Sequence, residues 1–293
     1  MSKKLLVILL MMAVMLPLSA FAEGMKKADT IDELVKMFDD RKCMECHPQI
    51  AKEWKESFHA KSVTSSLNGM RNFFAIGVPT EWERELTKAE ALKCLDCHVP
   101  EINYASEKLA VEIANMIIKA IDSKSKSEVK KITKELSKLR VGCISCHNIK
   151  ATSIAKGLMG KPVKDAVYGV NGKESPAHLT IQTNALRTSL FCAQCHGKYV
   201  AADGEIIMCN TLSGSYYNGY VANGGGETCQ DCHMKKGKRG HFFPGGHDLE
   251  IVKEGIGFNA NILGVKHTVG KWIPTAIVDI AIDNKSGHRV PDG

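Results

Sequence analysis

One motif, Cys-x-x-Cys-His, constrains this chain more than any other feature: it occurs five times in 293 residues, beginning at Cys43, Cys94, Cys143, Cys192 and Cys229. Ten of the eleven cysteines fall in these units. A disulfide framework gives no reason for histidine to follow every second cysteine, and a zinc or redox Cys-x-x-Cys does not explain five copies. Two thiols three positions apart suit thioether bonds to the two vinyl groups of one porphyrin. The histidine that follows then lies beneath the iron as its proximal ligand. The sequence therefore predicts five covalently bound haem c groups. They are held by Cys43, Cys46 and His47; Cys94, Cys97 and His98; Cys143, Cys146 and His147; Cys192, Cys195 and His196; and Cys229, Cys232 and His233. Cys209 is left over, and a buried thiol is its simplest role.

The segments between the motifs predict a mainly α, loop-rich fold organised around five packed c-type haems, with a short C-terminal β segment. Thr30 and Glu33 form a T-x-x-E capping box ahead of Ile31, Leu34, Val35 and Phe38, which share one helical face. Between the second and third motifs, Leu109, Ile113, Met116 and Ile117 share a face, as do Val129, Ile132, Leu136 and Leu139. The polar stretch 122–127 separates them, so the segment reads as an αα-hairpin packed as a cover over adjacent haems. From Thr211 to Glu227 the chain is rich in Gly, Ser, Tyr and Asn and reads as an irregular loop. Val278, Ile280 and Ile282 alternate with Asp279, Ala281 and Asp283, the period of a strand, with Ile262 to Val269 as its candidate partner. The haems replace much of the apolar core, in keeping with an aromatic content of only 6%.

The division that follows is residues 1–22 as a signal peptide, 23–250 as a pentahaem domain and 251–293 as the β segment. Lys3 and Lys4 precede the apolar run Leu5 to Leu16, and Ala20-Phe21-Ala22 supplies the small-x-small cleavage pattern. A periplasmic or extracellular chain is expected, with no stable membrane insertion once the leader is removed. Removing Lys3 and Lys4 takes the formal charge from +7 to +5. Each ferric haem adds about −1 through its propionates, which brings the loaded chain near neutrality. The lysines therefore read as propionate partners and docking charges, and a nucleic-acid surface is not expected.

The sixth iron ligand separates an electron conduit from an enzyme, because an iron closed by two protein ligands cannot bind substrate. Six histidines lie outside the motifs, one more than complete bis-His ligation needs. His59 follows His47 by twelve residues, about 18 Å if helical, which directs it to a neighbouring haem. His241 and His247 sit in Gly240-His-Phe-Phe-Pro-Gly-Gly-His247, where sharp turns can aim two rings at two irons. His178 follows Pro176 in a loop, and His288 lies just past the strand. His267, within the β-like stretch, is the spare. Met208 and Met234 are the weaker axial candidates, and Met234 cannot cross to the far face of the haem under His233.

Cys43-x-x-Cys46-His47 followed by Trp54-x-x-Ser57-x-His59 resembles the opening of the cytochrome c-554 family, which is related to multihaem hydroxylamine-oxidoreductase-type proteins. The run from Cys192-Ala-Gln-Cys195-His196-Gly197 through Cys229-Gln-Asp-Cys232-His233-Met234 to the His241–His247 loop is similar to a block in larger periplasmic multihaem cytochromes of that group. Gly287 to Gly293 is similar to their trailing Gly-His-x-x-Pro-x-Gly element, which supplies a distal ligand. The resemblance implies closely packed haem pairs and bis-His ligation, and the lower potentials of bis-His irons than of Met/His ones fit electron transfer in anaerobic-type respiration. The implied partners are an upstream quinol-linked or periplasmic donor and a downstream reductase or cytochrome. In such relatives a β-rich segment often continues past the last element, so a truncated C-terminus is an expectation here. Two alternatives stay open. One is an oxidoreductase acting on nitrite, hydroxylamine or another small nitrogen or sulfur compound at an open haem. The other is an oligomer in which a donated histidine builds a haem-lined filament. No Cys-x-x-Cys-Lys site is present to favour the first.

Overall fold

The computed structural model describes residues 27–77, 85–157, 161–163, 165–197, 199–200, 206–207, 211–234 and 239–292. The leader, Met208 and Cys209 lie outside them, as does the side chain of His267.

The chain is mainly helical, and its apolar core belongs to the first half. Helix α1 (Ile31–Met37) starts at Thr30, whose extended backbone lets Oγ1 accept from the Glu33 N–H at 3.2 Å. The return bond from Glu33 goes to the N–H of Asp29, at 2.9 Å, so the expected capping box closes one residue early. Short helices α2 (Arg41–Cys46), α3 (Pro48–Glu56) and α4 (Leu67–Asn72) follow, then α5 (Lys88–His98). Thr87 and Glu90 form a complete capping box at the start of α5.

The expected hairpin is present as α6 (Glu107–Asp122) and α7 (Lys126–Leu136), opened by the side chains of Ser106 and Ser125. Leu109, Ile113 and Ile117 are fully buried, with Ala110 and Ala114 between them. Leu136 and Leu139 close the other side. These residues pack with Leu34, Val63, Met70, Phe74, Leu95 and Ile102 into one core. The hairpin is therefore the wall of an ordinary apolar core against α4 and α5, and not the expected cover over the motifs. Among the described residues, none from 107 to 139 lines the space that the motifs share.

Beyond Leu139 the buried apolar side chains among those described are only Ala151, Ala166, Tyr168 and Pro244. Helices here are one or two turns long: α8 (Ala151–Ala155), α9 (Ser189–Ala193), α10 (Leu212–Ser215), α11 (Cys229–His233) and α12 (Leu249–Gly255). Strands β1 (Ala166–Gly169) and β2 (Leu179–Gln182) pair in parallel, and β3 (Tyr199–Val200) pairs antiparallel with β4 (Ile206–Ile207). The segment read as an irregular loop is instead helical over most of its length. After α10 a wide turn (Tyr216–Tyr220) and a tight one (Val221–Asn223) follow without a break. Ring contacts of Tyr216 with Tyr217 and Tyr220, at 4.9 and 5.8 Å, hold it, and Gly224 ends it at φ +89°.

The C-terminal β segment is longer than expected. Strand β5 (Ile256–Thr268) pairs antiparallel with β6 (Lys271–Asn284) around Val269 and Gly270. Phe258 opposes Ile282 and Ile262 opposes Val278, which puts the alternating apolar residues of both strands on one face.

Candidate metal centres

Each motif sits on a turn of helix, where residues three apart share a face, so both thiols of a pair point the same way. Helix α2 carries the first motif, α5 the second, α9 and the turn after it the fourth, and α11 the fifth. The third starts at Cys143 and continues into a wide helical turn, Ser145–Lys150. A reciprocal box fixes the start of α11: Thr228 Oγ1 accepts from the Asp231 N–H, and Asp231 Oδ2 accepts from the Thr228 N–H at 2.8 Å. Cysteine or histidine side chains of all five motifs line one interior space of about 2780 Å³. A pocket for one small ligand holds roughly 300–1,000 Å³, so this space suits several large groups rather than one metabolite.

Within it, thiols of different motifs touch. Cys43 is in hydrogen-bond contact with Cys143, Cys97 with Cys195, and Cys192 with Cys229. Cys195 also lies close enough to Cys146 to act on it electrostatically. The contacts thus join the first site to the third, the second to the fourth, and the fourth to the fifth. Burial pushes the Cys146 thiol up to about 12.

The histidines meet in twos. His59 faces His196 with ring centres 6.1 Å apart, His241 faces His147 at 6.2 Å, and His288 faces His233 at 6.2 Å. A nitrogen–metal bond is about 2 Å, so one metal held between two imidazoles sets their centres roughly 6 Å apart. Among the described residues, no group of three or more His, Cys, Asp or Glu side chains converges on a metal position. A porphyrin supplies four equatorial nitrogens itself and leaves two axial positions, which pairs of rings suit.

The second nitrogen of several rings is already committed. His98 Nδ1 donates to the Ser62 carbonyl at 2.7 Å, His147 Nδ1 to Tyr168 at 2.9 Å and His233 Nδ1 to Pro244 at 2.7 Å. His288 Nδ1 donates to the Arg289 carbonyl at 2.7 Å. A carbonyl can only accept, so Nδ1 carries the proton and Nε2 is left as the lone pair for a metal. Burial lowers the basicity of His98, His147, His196, His233 and His241, and brings His59 to about 4. Neutral imidazole is the form that binds metal. The residues present therefore fit the axial ligation of haem.

The local sequence explains these positions. Ser57 Oγ bonds back to the Trp54 carbonyl at 2.7 Å and ends α3, and the chain turns so that His59 points inward. Trp54 Nε1 donates to the Val141 carbonyl at 2.9 Å, and the Val141 N–H donates to the carbonyl of His59 at 3.1 Å. Arg140 lies over the Trp54 ring at 4.9 Å. The approach to the third motif is thus tied to the residue that faces the fourth.

Other nominated ligands are placed differently. His178 lines the shared space, and His178 and His47 both act electrostatically on His147. His247 is exposed and does not line the space; its ring stands edge-on to Phe58 at 4.4 Å and to Phe242 at 5.6 Å. Among the described residues, neither His47 nor His98 has a histidine facing it as the three pairs do. Met234 caps the end of α11, directly after His233.

A set of buried polar residues between the second and third motifs was not anticipated. Lys150 pairs with Asp96 at 3.2 Å, with both side chains under 15% exposed. Ser145 Oγ donates to Glu101 Oε1 and accepts from the Gly142 N–H at 2.9 Å. Asp40 pairs with Arg140 at 2.8 Å and accepts from the Cys143 N–H at 3.4 Å. The available signal was positional. Asp96 and Ser145 fill the variable places of their motifs, and Glu101 and Lys150 each come three residues after the motif histidine.

Residues 42–120 match the family model described as cytochrome c554 and c-prime. The match covers just over a quarter of the chain and the first two motifs. Neither the curated proteins nor the solved structures contain a match. The match supports a multihaem c-type cytochrome family, and with it a c-type cytochrome electron carrier, covalently bound haem c and redox partner proteins. No helix of the described residues is long and apolar enough to cross a membrane.

Proposed function

We propose that this cytochrome is a pentahaem electron conduit of the periplasm or cell exterior, working in anaerobic-type respiration. Each Cys-x-x-Cys pair would hold one haem c by thioethers, with His47, His98, His147, His196 and His233 as proximal ligands. The observation that carries this reading is the set of three imidazole pairs at 6.1–6.2 Å. It supports His59 as distal ligand at the fourth site, His241 at the third and His288 at the fifth. His178, which like His47 lies within electrostatic reach of His147, is the candidate for the first. The exposed position of His247 argues against the ligand role expected for it.

The haem groups supply the one-electron chemistry, and the chain sets their order, axial ligands and access to water. The thiol contacts favour a path running first, third, fourth and fifth, with the second site branching from the fourth. Closed irons of this type carry electrons without binding substrate.

One observation favours a second reading, an oxidoreductase acting on a small nitrogen or sulfur compound. Among the described residues no imidazole faces His98, so the second site is the place for an open iron. Intact mass and a reductive titration of the exported protein test the first reading. Five haems and five electrons per chain, with only low-spin ferric signals at low temperature, are expected. Fewer haems would overturn it, and a stoichiometric high-spin signal that shifts with nitrite or hydroxylamine would replace it with the second.

A further inference from the structure

Glu101 is a buried acid that neither haem attachment nor axial ligation uses. It stands in the tight turn Pro100–Tyr104, which leaves the second motif and packs against the wide turn of the third. Only 8% of the residue is exposed. Ser145, between Cys143 and Cys146, donates to Oε1, while Oε2 is buried with no hydrogen-bond partner in the structure. A carboxylate with an orphaned oxygen in an apolar setting is costly, and a neutral acid much less so.

The charged surroundings point the same way without deciding the matter. Asp40, from the loop before the first motif, opposes ionisation of Glu101, and Arg140 favours it. Arg140 is already committed to Asp40. On the side of the third motif, Lys150 is held by Asp96 of α5. Tyr104 of the same turn and Cys146 of the wide turn both feel the Glu101 charge. Lys88 of α5 is engaged with backbone carbonyls of Asn103 and Ala105, and α1 meets the turn through the Phe38–Tyr104 ring contact at 4.9 Å. Burial, ahead of every other influence, raises the carboxyl to about 7.

We propose that Glu101 is a redox-linked proton site. Its carboxylate takes one proton from water when one electron from a donor protein reduces the iron beside Cys146 and His147 from ferric to ferrous, and releases it when that electron leaves. One negative and one positive charge arrive together, so the buried segment keeps its net charge. Carboxyl and iron interact through a low-dielectric interior, where neighbouring charges are weakly screened. This rests on the reading of the third motif as a haem site.

The test is a spectroelectrochemical titration of the haem-loaded full chain at several pH values, beside Glu101→Gln. The intact protein should show one potential that falls with rising pH near neutrality, by at most about 59 mV for each tenfold change in proton concentration. The variant should lose that slope at unchanged haem content. A slope that survives in the variant, or none in the intact protein, overturns the proposal. If the variant does not mature, infrared difference spectra of the unaltered protein serve instead. A carboxylic C=O band gained on reduction supports the site, and its absence overturns it. Haem content and low-temperature spectra, taken on the same samples, fail separately if the haem reading itself is wrong.

Discussion

Replacing Glu101 by glutamine should change how the stability of the oxidised protein depends on pH. Glu101 is buried, and its carboxyl moves from 4.5 to about 7, mainly through that burial. The folded state therefore keeps this proton to a higher pH than the unfolded chain does. The stability linked to the group is fully present below about 4.5 and is lost as pH rises toward 7, above which the loss is constant. Each unit is worth about 1.4 kcal/mol, so the shift corresponds to a loss of roughly 3 kcal/mol between the two limits. Glutamine has a similar shape and no proton to lose. Urea unfolding of both proteins, held oxidised, isolates the effect because all other titrating groups cancel in the difference. Below about pH 4.5 the two should differ by no more than one altered hydrogen bond, about 1 kcal/mol. By about pH 8 the glutamine variant should have gained on the unaltered protein by roughly 3 kcal/mol. A difference that is flat with pH, or that runs the other way, would refute the placement of an ionising carboxyl in this pocket.

Three further outcomes follow from the same geometry. His59→Ala, His241→Ala and His288→Ala should each convert one low-spin haem to high spin in the frozen oxidised protein, whereas His247→Ala should leave the spectrum unchanged. Ile113→Ala, at a fully buried position of α6, should cost about 2–5 kcal/mol in urea unfolding without altering haem content. Lys150→Met strands Asp96 among buried groups and should cost about 3–5 kcal/mol, a loss that the double variant Lys150→Met, Asp96→Asn largely recovers.

The candidate attachment residues are legible in the sequence because haem attachment by thioethers uses two thiols and a histidine within five consecutive positions. Distal ligation has no such local signature. His59 meets His196 only after α3 ends at Ser57 and the chain turns inward, and nothing near His59 announces its partner. Helix length directs His59 to a neighbouring motif, and its ring stands 6.1 Å from that of His196 in the fourth. The His241–His247 loop shows the limit of composition: Gly and Pro there permit two inward histidines, yet only His241 lines the shared space. Gly, Ser and Asn between 211 and 227 suggest a loop, but the backbone is helical over most of that stretch, with Tyr216 edge-on to Tyr217 and stacked on Tyr220. Glu101 has no local signal either, since its hydrogen-bond partner Ser145 is forty-four positions away.

The two halves of the chain differ in what can hold them together, and this bears on how the protein matures. The described apolar core runs from Ala28 to Leu139, and α1, α4, α5 and the α6–α7 hairpin bury it, with Cys94 and Leu95 as the second motif's share of it. Past Leu139 the helices are short, the sheets other than the terminal ribbon have strands of four residues or fewer, and the buried apolar side chains are few. Isolated helices of one or two turns are not stable alone, and a two-stranded sheet is marginal at best. In that half the third, fourth and fifth motifs face the shared space, and covalent attachment there would supply the apolar mass that the side chains lack. On the proposed pentahaem reading, haem insertion at these sites would be a folding step as much as a loading step. Limited proteolysis of chain made without haem attachment should leave a resistant fragment ending near residue 140. Resistance that extends through the fifth motif would show that the second half holds itself together.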